Sequence, residues 1–183
     1  MCWSAEGSLT TWAAAMALAL SANIDPKMWL FLFTFSQVQL AEFFIWRNNA
    51  QAANAFLLLV LMLEPVASIN LLKAPMRNKL WAVYALGVAA WLATHKPDLS
   101  SEVAENGHLR WNFFDIPFPL AIAWCTALVA PLFMSERPLG GAFAVLTALV
   151  TLVQNYKYGT WGTMWCWVAI AAWLLEIANS KLL

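Results

Sequence analysis

Charge is the scarcest ingredient of this chain. Only 11% of its 183 residues are charged, where a soluble domain carries about 25%. The formal net charge is zero, which excludes the basic surface that nucleic acid requires. Histidine is limited to His95 and His108. A histidine-rich metal centre is therefore excluded. Neither His lies well inside an apolar run, so a Ser/His/Asp arrangement within a span has no imidazole to use. The three cysteines, Cys2, Cys125 and Cys166, form no CxxC pair and carry no zinc or dithiol signature. HExxH, GxSxG and a phosphate-binding glycine loop are missing as well. The sequence leans away from an enzyme, and the cofactor, if there is one, stays unknown. The N-terminus also lacks the basic n-region of a cleavable signal peptide.

What is present is apolar. Hydrophobic residues make up 62% of the chain and twelve are Trp, a residue that favours membrane–water interfaces. Mean hydropathy is +0.65. These values predict an all-α fold, a polytopic transmembrane bundle of about seven helices, with six to eight as the range. The whole chain, 1–183, reads as one transmembrane domain. Its only sizeable polar stretch, 96–116, is expected as a surface loop between helices four and five, with His95 and His108 as solvated residues.

The expected helices are Leu9–Ile24, Trp29–Trp46, Ala52–Leu72, Leu80–His95, Pro117–Met134, Leu139–Asn155 and Thr160–Asn179. Ser8 is the expected N-cap of the first, Asp25-Pro26 its stop, and Pro75 a breaker before the fourth. Brief loops imply antiparallel neighbours. With seven spans, one side holds Arg47, Lys96, Arg110 and Lys157. The other holds Lys27, Lys73, Arg77, Lys79, Arg137 and Lys181. Four against six, with the cluster Lys73/Arg77/Lys79, places the N-terminus outside and the C-terminus in the cytoplasm.

Polar residues inside apolar runs are the candidate site. A carboxylate in a spanning helix is expensive and usually faces a partner or a wet cavity. The second helix carries Gln39 and Glu42, three apart and so on one face. The third carries Glu64, followed by Pro65. A proline there frees the carbonyl of Leu61, four residues back, and so can present a backbone oxygen beside Glu64. By depth, Cys2, Gln39, Glu42, Tyr156, Lys157 and Cys166 fall in one half of the membrane, with Glu64 deeper. Trp46 and Trp165 complete the expected ligand- or ion-binding set. Alternatives stand beside each assignment. Glu42 paired with Lys157, or hydrogen-bonded to Trp or Gln donors, would be a structural lock between helices. Cys2 and Cys166 would form a disulfide in an oxidising space, or act as soft metal ligands suited to Cu(I). A short internal echo links LEPVASINLLK at the end of helix three with LEIANSKLL at the end of helix seven.

Four motifs carry a resemblance. MCWSAEGS (Met1 to Ser8), SQVQLAEFFIW (Ser36 to Trp46), LEPVASIN (Leu63 to Asn70) and GTWGTMWCWVAI (Gly159 to Ile170) resemble, in that order, a family of uncharacterised polytopic membrane proteins. Its members occur in bacteria, algae and large DNA viruses and begin MCWSA or MCFSA. Glu64 stands where some relatives have Gln. The resemblance implies a shared site of Cys2, Ser4, Gln39, Glu42, Pro65, Trp165 and Cys166, and it implies no activity.

The functional expectation is a transporter- or channel-like membrane protein with a polar cavity for a small ligand or cation. Glu42 would bear the charge, Gln39 would orient it, and Glu64 would be a second carboxylate. The alternatives are a structural or assembly subunit of a larger membrane complex, and a thiol or metal site at Cys2 and Cys166. Expected partners are the lipid bilayer, a small ligand or cation, and further copies or subunits of a membrane complex; nucleic acid is not among them.

Overall fold

The computed structural model describes residues 4–48, 50–114, 116–135, 137–165 and 168–180. It is all-α apart from one small hairpin. The helices are α1 (Ala5–Ser21), α2 (Pro26–Asn48), α3 (Gln51–Ile69), α4 (Ala74–Thr94), α5 (Phe118–Met134), α6 (Pro138–Asn155), α7 (Trp161–Trp165) and α8 (Val168–Ser180). Taken as the one apolar stretch Trp161–Ser180, α7 and α8 bring the total to seven helices among the described residues. Four stretches are long and apolar enough to cross a membrane: Pro26–Asn48, Gln51–Ile69, Pro138–Tyr158 and Trp161–Ser180. Pro119–Met134 is shorter but equally apolar in character.

Helix boundaries follow local chemistry, and three expectations are corrected. The N-cap of α1 is Ser4, not Ser8: its Oγ accepts from the Gly7 amide at 3.0 Å. Ser8 lies one turn inside and is fully buried. Asp25 does not stop α1, which ends at Ser21 with Ala22 as its C-cap. The Asp25 Oδ1 accepts from the amides of Lys27 (2.9 Å) and Met28 (3.1 Å) and so starts α2. Pro75 does not break a helix. It sits in the first turn of α4, where a missing amide hydrogen costs nothing and the fixed φ suits the helix.

Helix α2 is the axis of the molecule. It packs against α1, α3 and α8, while α3 also packs on α5, and α5 on α6. Two buried clusters lie along it. One gathers Leu32 and Phe35 with Ala15, Ala67, Leu128 and Trp173. The other gathers Val38, Ala41 and Ile45 with Leu57, Val60 and Leu61. In α3, Leu61 belongs to the second cluster and Ala67 to the first. Glu64 therefore falls at the seam between them.

The stretch between α4 and α5 is more than a surface loop. Ser101–Val103 (β1) and Leu109–Trp111 (β2) form an antiparallel hairpin, with Glu102 opposite Arg110. The turn needs Gly107, whose φ is +77°. One face of the hairpin plugs the bundle: Leu109, Trp111 and Phe113 join the second cluster. His108 is buried, contrary to expectation, whereas His95 is exposed. The physical reason is satisfaction of polar groups at the plug. Ser101 Oγ donates to Asn54 Oδ1 (2.5 Å), and Thr163 Oγ1 donates to the Leu109 carbonyl (2.6 Å). Asn106 Nδ2 donates to Thr160 Oγ1 (2.8 Å) and Asn155 Oδ1 (3.3 Å). These bonds let a polar sequence lie against apolar helices.

Candidate functional site

Glu64 is a carboxyl that the fold encloses without a hydrogen-bond partner among the described residues. The residue is 1% exposed. Neither carboxyl oxygen has a hydrogen-bond partner among the described residues. It lines a small cavity of about 10 Å³, at the lower limit for one water. Aromatic side chains dominate the walls. Phe35 comes from α2, Trp111 and Phe114 from the hairpin region, Trp124 from α5, and Trp161 from α7. Phe114 packs edge-on against Trp124 (5.2 Å) and tilted against Trp161 (5.7 Å).

The proline beside Glu64 acts differently from expectation. The Leu61 carbonyl is used: Trp124 Nε1 donates to it at 2.9 Å. Pro65 thus locks α5 to α3 and orients a wall of the cavity. Two further tethers run from α4 to the same helix. Trp81 Nε1 donates to the Val66 carbonyl (3.2 Å) and Tyr84 Oη to the Met62 carbonyl (3.0 Å).

Gly162 brings the wall together. A Cβ there would sit 2.9 Å from Cζ3 of Trp111, inside van der Waals contact. We expect Gly162→Ala to displace the Trp111 ring and to cost about 1–3 kcal/mol, as overpacking does. Thermal unfolding of the purified protein checks this, and an unchanged midpoint would show that the ring is not held against α7.

The donor set limits the chemistry. A divalent cation such as Ca²⁺ takes about six to eight oxygens. The described walls offer two carboxyl oxygens, aromatic faces and the indole of Trp111, whose N–H has no hydrogen-bond partner among the described residues. A carboxylate among π faces suits a monovalent cation, attracted by charge and by ring quadrupoles, or a proton or a single water. Among the described residues there is no group of three or more His, Cys, Asp or Glu placed to hold a metal.

The chain matches no protein-family model, no curated protein and no solved structure.

The other expected site residues are dispersed. Gln39 and Glu42 are fully buried on α2. Trp46 is half-buried near the end of that helix, and its Nε1 has no hydrogen-bond partner among the described residues. Tyr156 and Lys157 are exposed and line a different cavity, a groove between α5 and α6. The Lys157 ammonium lies 4.5 Å from the centre of the Tyr158 ring. An exposed ammonium and a fully buried carboxyl do not meet, so the proposed Glu42–Lys157 lock is not formed. Cys2 and Cys166 lie outside the described residues, as does the side chain of Trp165.

Sequence reasoning missed the ion pair of Arg137 with Glu176, which joins the start of α6 to α8. Of the two LE motifs, the second has a cationic partner, and among the described residues the first has none. The one available signal was a carboxylate late in an apolar run with an Arg in a short loop.

Proposed function

We propose that the chain is a multi-pass membrane protein with a transporter- or channel-like role for a small monovalent cation, with Glu64 as the group that holds the charge. The observation that carries this reading is a carboxyl buried to 1% exposure, unpartnered among the described residues and lining an aromatic cavity. Buried ionisable groups in spanning helices mark ion and proton paths. Glu42 and Gln39, on the neighbouring helix, form the second polar level of the same path. The seven-span arrangement with the N-terminus outside belongs to this proposal. So does the family resemblance, which adds Cys2, Ser4, Trp165 and Cys166 to the site.

Proteoliposome currents test the reading. Jumps in KCl, NaCl or NH₄Cl at constant ionic strength should give a cation-dependent current with the wild-type protein. Glu64→Gln, which keeps the shape and removes the charge, should abolish it while the protein still inserts. A current that survives in Glu64→Gln, or a wild type silent to all three ions, overturns the assignment.

A second reading is favoured by α4. Every residue of this helix keeps some exposure, and Val83 and Leu86 are 68% and 72% exposed. It is tethered to α3 by Trp81 and Tyr84 and offers an apolar face to lipid or to a partner helix. In a structural or assembly subunit that face would be the interface. Copurification of a stoichiometric partner supports this reading, and a lone monomer counts against it.

A further inference from the structure

A cavity much larger than the one at Glu64 lies elsewhere in the bundle. A groove of about 770 Å³ runs between α5 and α6, within the roughly 300–1,000 Å³ of small-molecule sites. Its floor and sides are apolar along most of their length. Ile122, Val129 and Phe133 come from α5, and Val145, Leu149 and Leu152 from α6. The far end is closed by Phe133, whose ring lies against Gly141. The near end is different in kind. There the groove meets Arg110, Lys157, Tyr156 and Tyr158, two cations and two phenols. Arg110 is held by Glu102 at 3.5 Å, both side chains about half exposed. Such surface pairs are worth little and exchange readily.

This polarity along one groove, an apolar trough with a cationic mouth, matches an amphiphile lying parallel to the helices. We infer that the α5–α6 groove is a binding site for an anionic phospholipid of the surrounding bilayer. The headgroup phosphate sits at Arg110 and Lys157, and one acyl chain lies along Ile122, Leu149 and Val145 toward Phe133. Tyr156 and Tyr158 stand at headgroup level, where aromatic side chains are favoured. Basic pockets between spanning helices recognise headgroups in this way. The site rests on the membrane reading and not on the role of Glu64. Cys125 lines the trough, so a seated chain shields its thiol.

The test compares lipids of equal chain length and different headgroup charge. The full chain is exchanged into nanodiscs of phosphatidylcholine, alone or with phosphatidylglycerol, then released for native mass spectrometry. The expected result is preferential retention of phosphatidylglycerol, by about fivefold for each cationic contact. Arg110→Gln with Lys157→Gln should remove the preference, and Lys157→Gln alone, at an exposed side chain, should weaken it with expression unchanged. In the same samples, alkylation of Cys125 by a maleimide, mapped on peptides, should be slower with phosphatidylglycerol present. Equal retention of both lipids by the wild type overturns the site, and so does a preference unchanged in the double variant. Cys125 alkylation indifferent to lipid overturns the placement of the chain in the trough.

Discussion

Trp173→Ala should be the most damaging single core substitution, lowering stability by about 3–5 kcal/mol, the range for an aromatic removed from a packed interior. Trp173 is fully buried. It meets Trp29 edge-on at 6.3 Å and packs within the cluster of Leu32, Phe35, Leu128 and Leu132. Its Nε1 donates to Ser36 Oγ at 3.1 Å, and that hydroxyl donates to the Leu32 carbonyl at 2.8 Å. On the multi-pass membrane reading proposed above, the gain from leaving water is absent, and the void and lost packing remain. Trp173→Phe separates the two contributions. It keeps most of the volume, leaves Ser36 bonded to Leu32, and should cost only about 1 kcal/mol for the lost bond. Thermal unfolding in mild detergent reads both variants. If Ala is no worse than Phe, Trp173 is not the centre of this core.

Glu64→Leu should do the opposite and stabilise the protein. A buried polar group without a partner costs about 1–3 kcal/mol, and an apolar residue of similar size removes that cost. The cavity beside it is small enough for a leucine to fill. Glu64→Gln keeps a polar head and should shift the midpoint little. Gain of stability with loss of cation response would mark Glu64 as a group kept for function at the expense of the fold. A leucine variant destabilised by more than about 1 kcal/mol would mean that the carboxyl is held by a partner and is a structural element.

The helices were legible because each is an apolar run bounded by Pro, Asp, Asn or Lys. Errors of placement came from residues with two roles. Asp25, read as the stop of α1, instead starts α2, and Pro75 opens a helix instead of breaking one. Glu64 was legible as a carboxylate in an apolar run beside a proline. Its enclosure was not. Trp111, Trp124 and Trp161 come from three separate segments, and no periodicity within one helix connects them. The sequence reads such aromatics as interfacial, and reads 96–116 as polar surface. Only the bonds from Ser101, Asn106 and Leu109 to distant helices reveal a plug. For the same reason Tyr156 and Lys157, grouped with Glu42 by depth alone, belong to a different cavity.

The walls around Glu64 also set an order of events during synthesis. Domains and their parts emerge N-terminal first. The carboxyl of α3 therefore leaves the ribosome well before the hairpin, and long before Trp161 and Gly162. Until those residues arrive, Glu64 remains open to water, lipid headgroups or the insertion machinery. The seal is among the last steps of assembly and depends on pairings far apart in the chain, which form slowly. A chain truncated before Trp161 would hold α2 and α3 together yet leave this carboxyl without one of its walls. Such an unfinished protein would be distinguishable to quality control by the very group that the finished one hides.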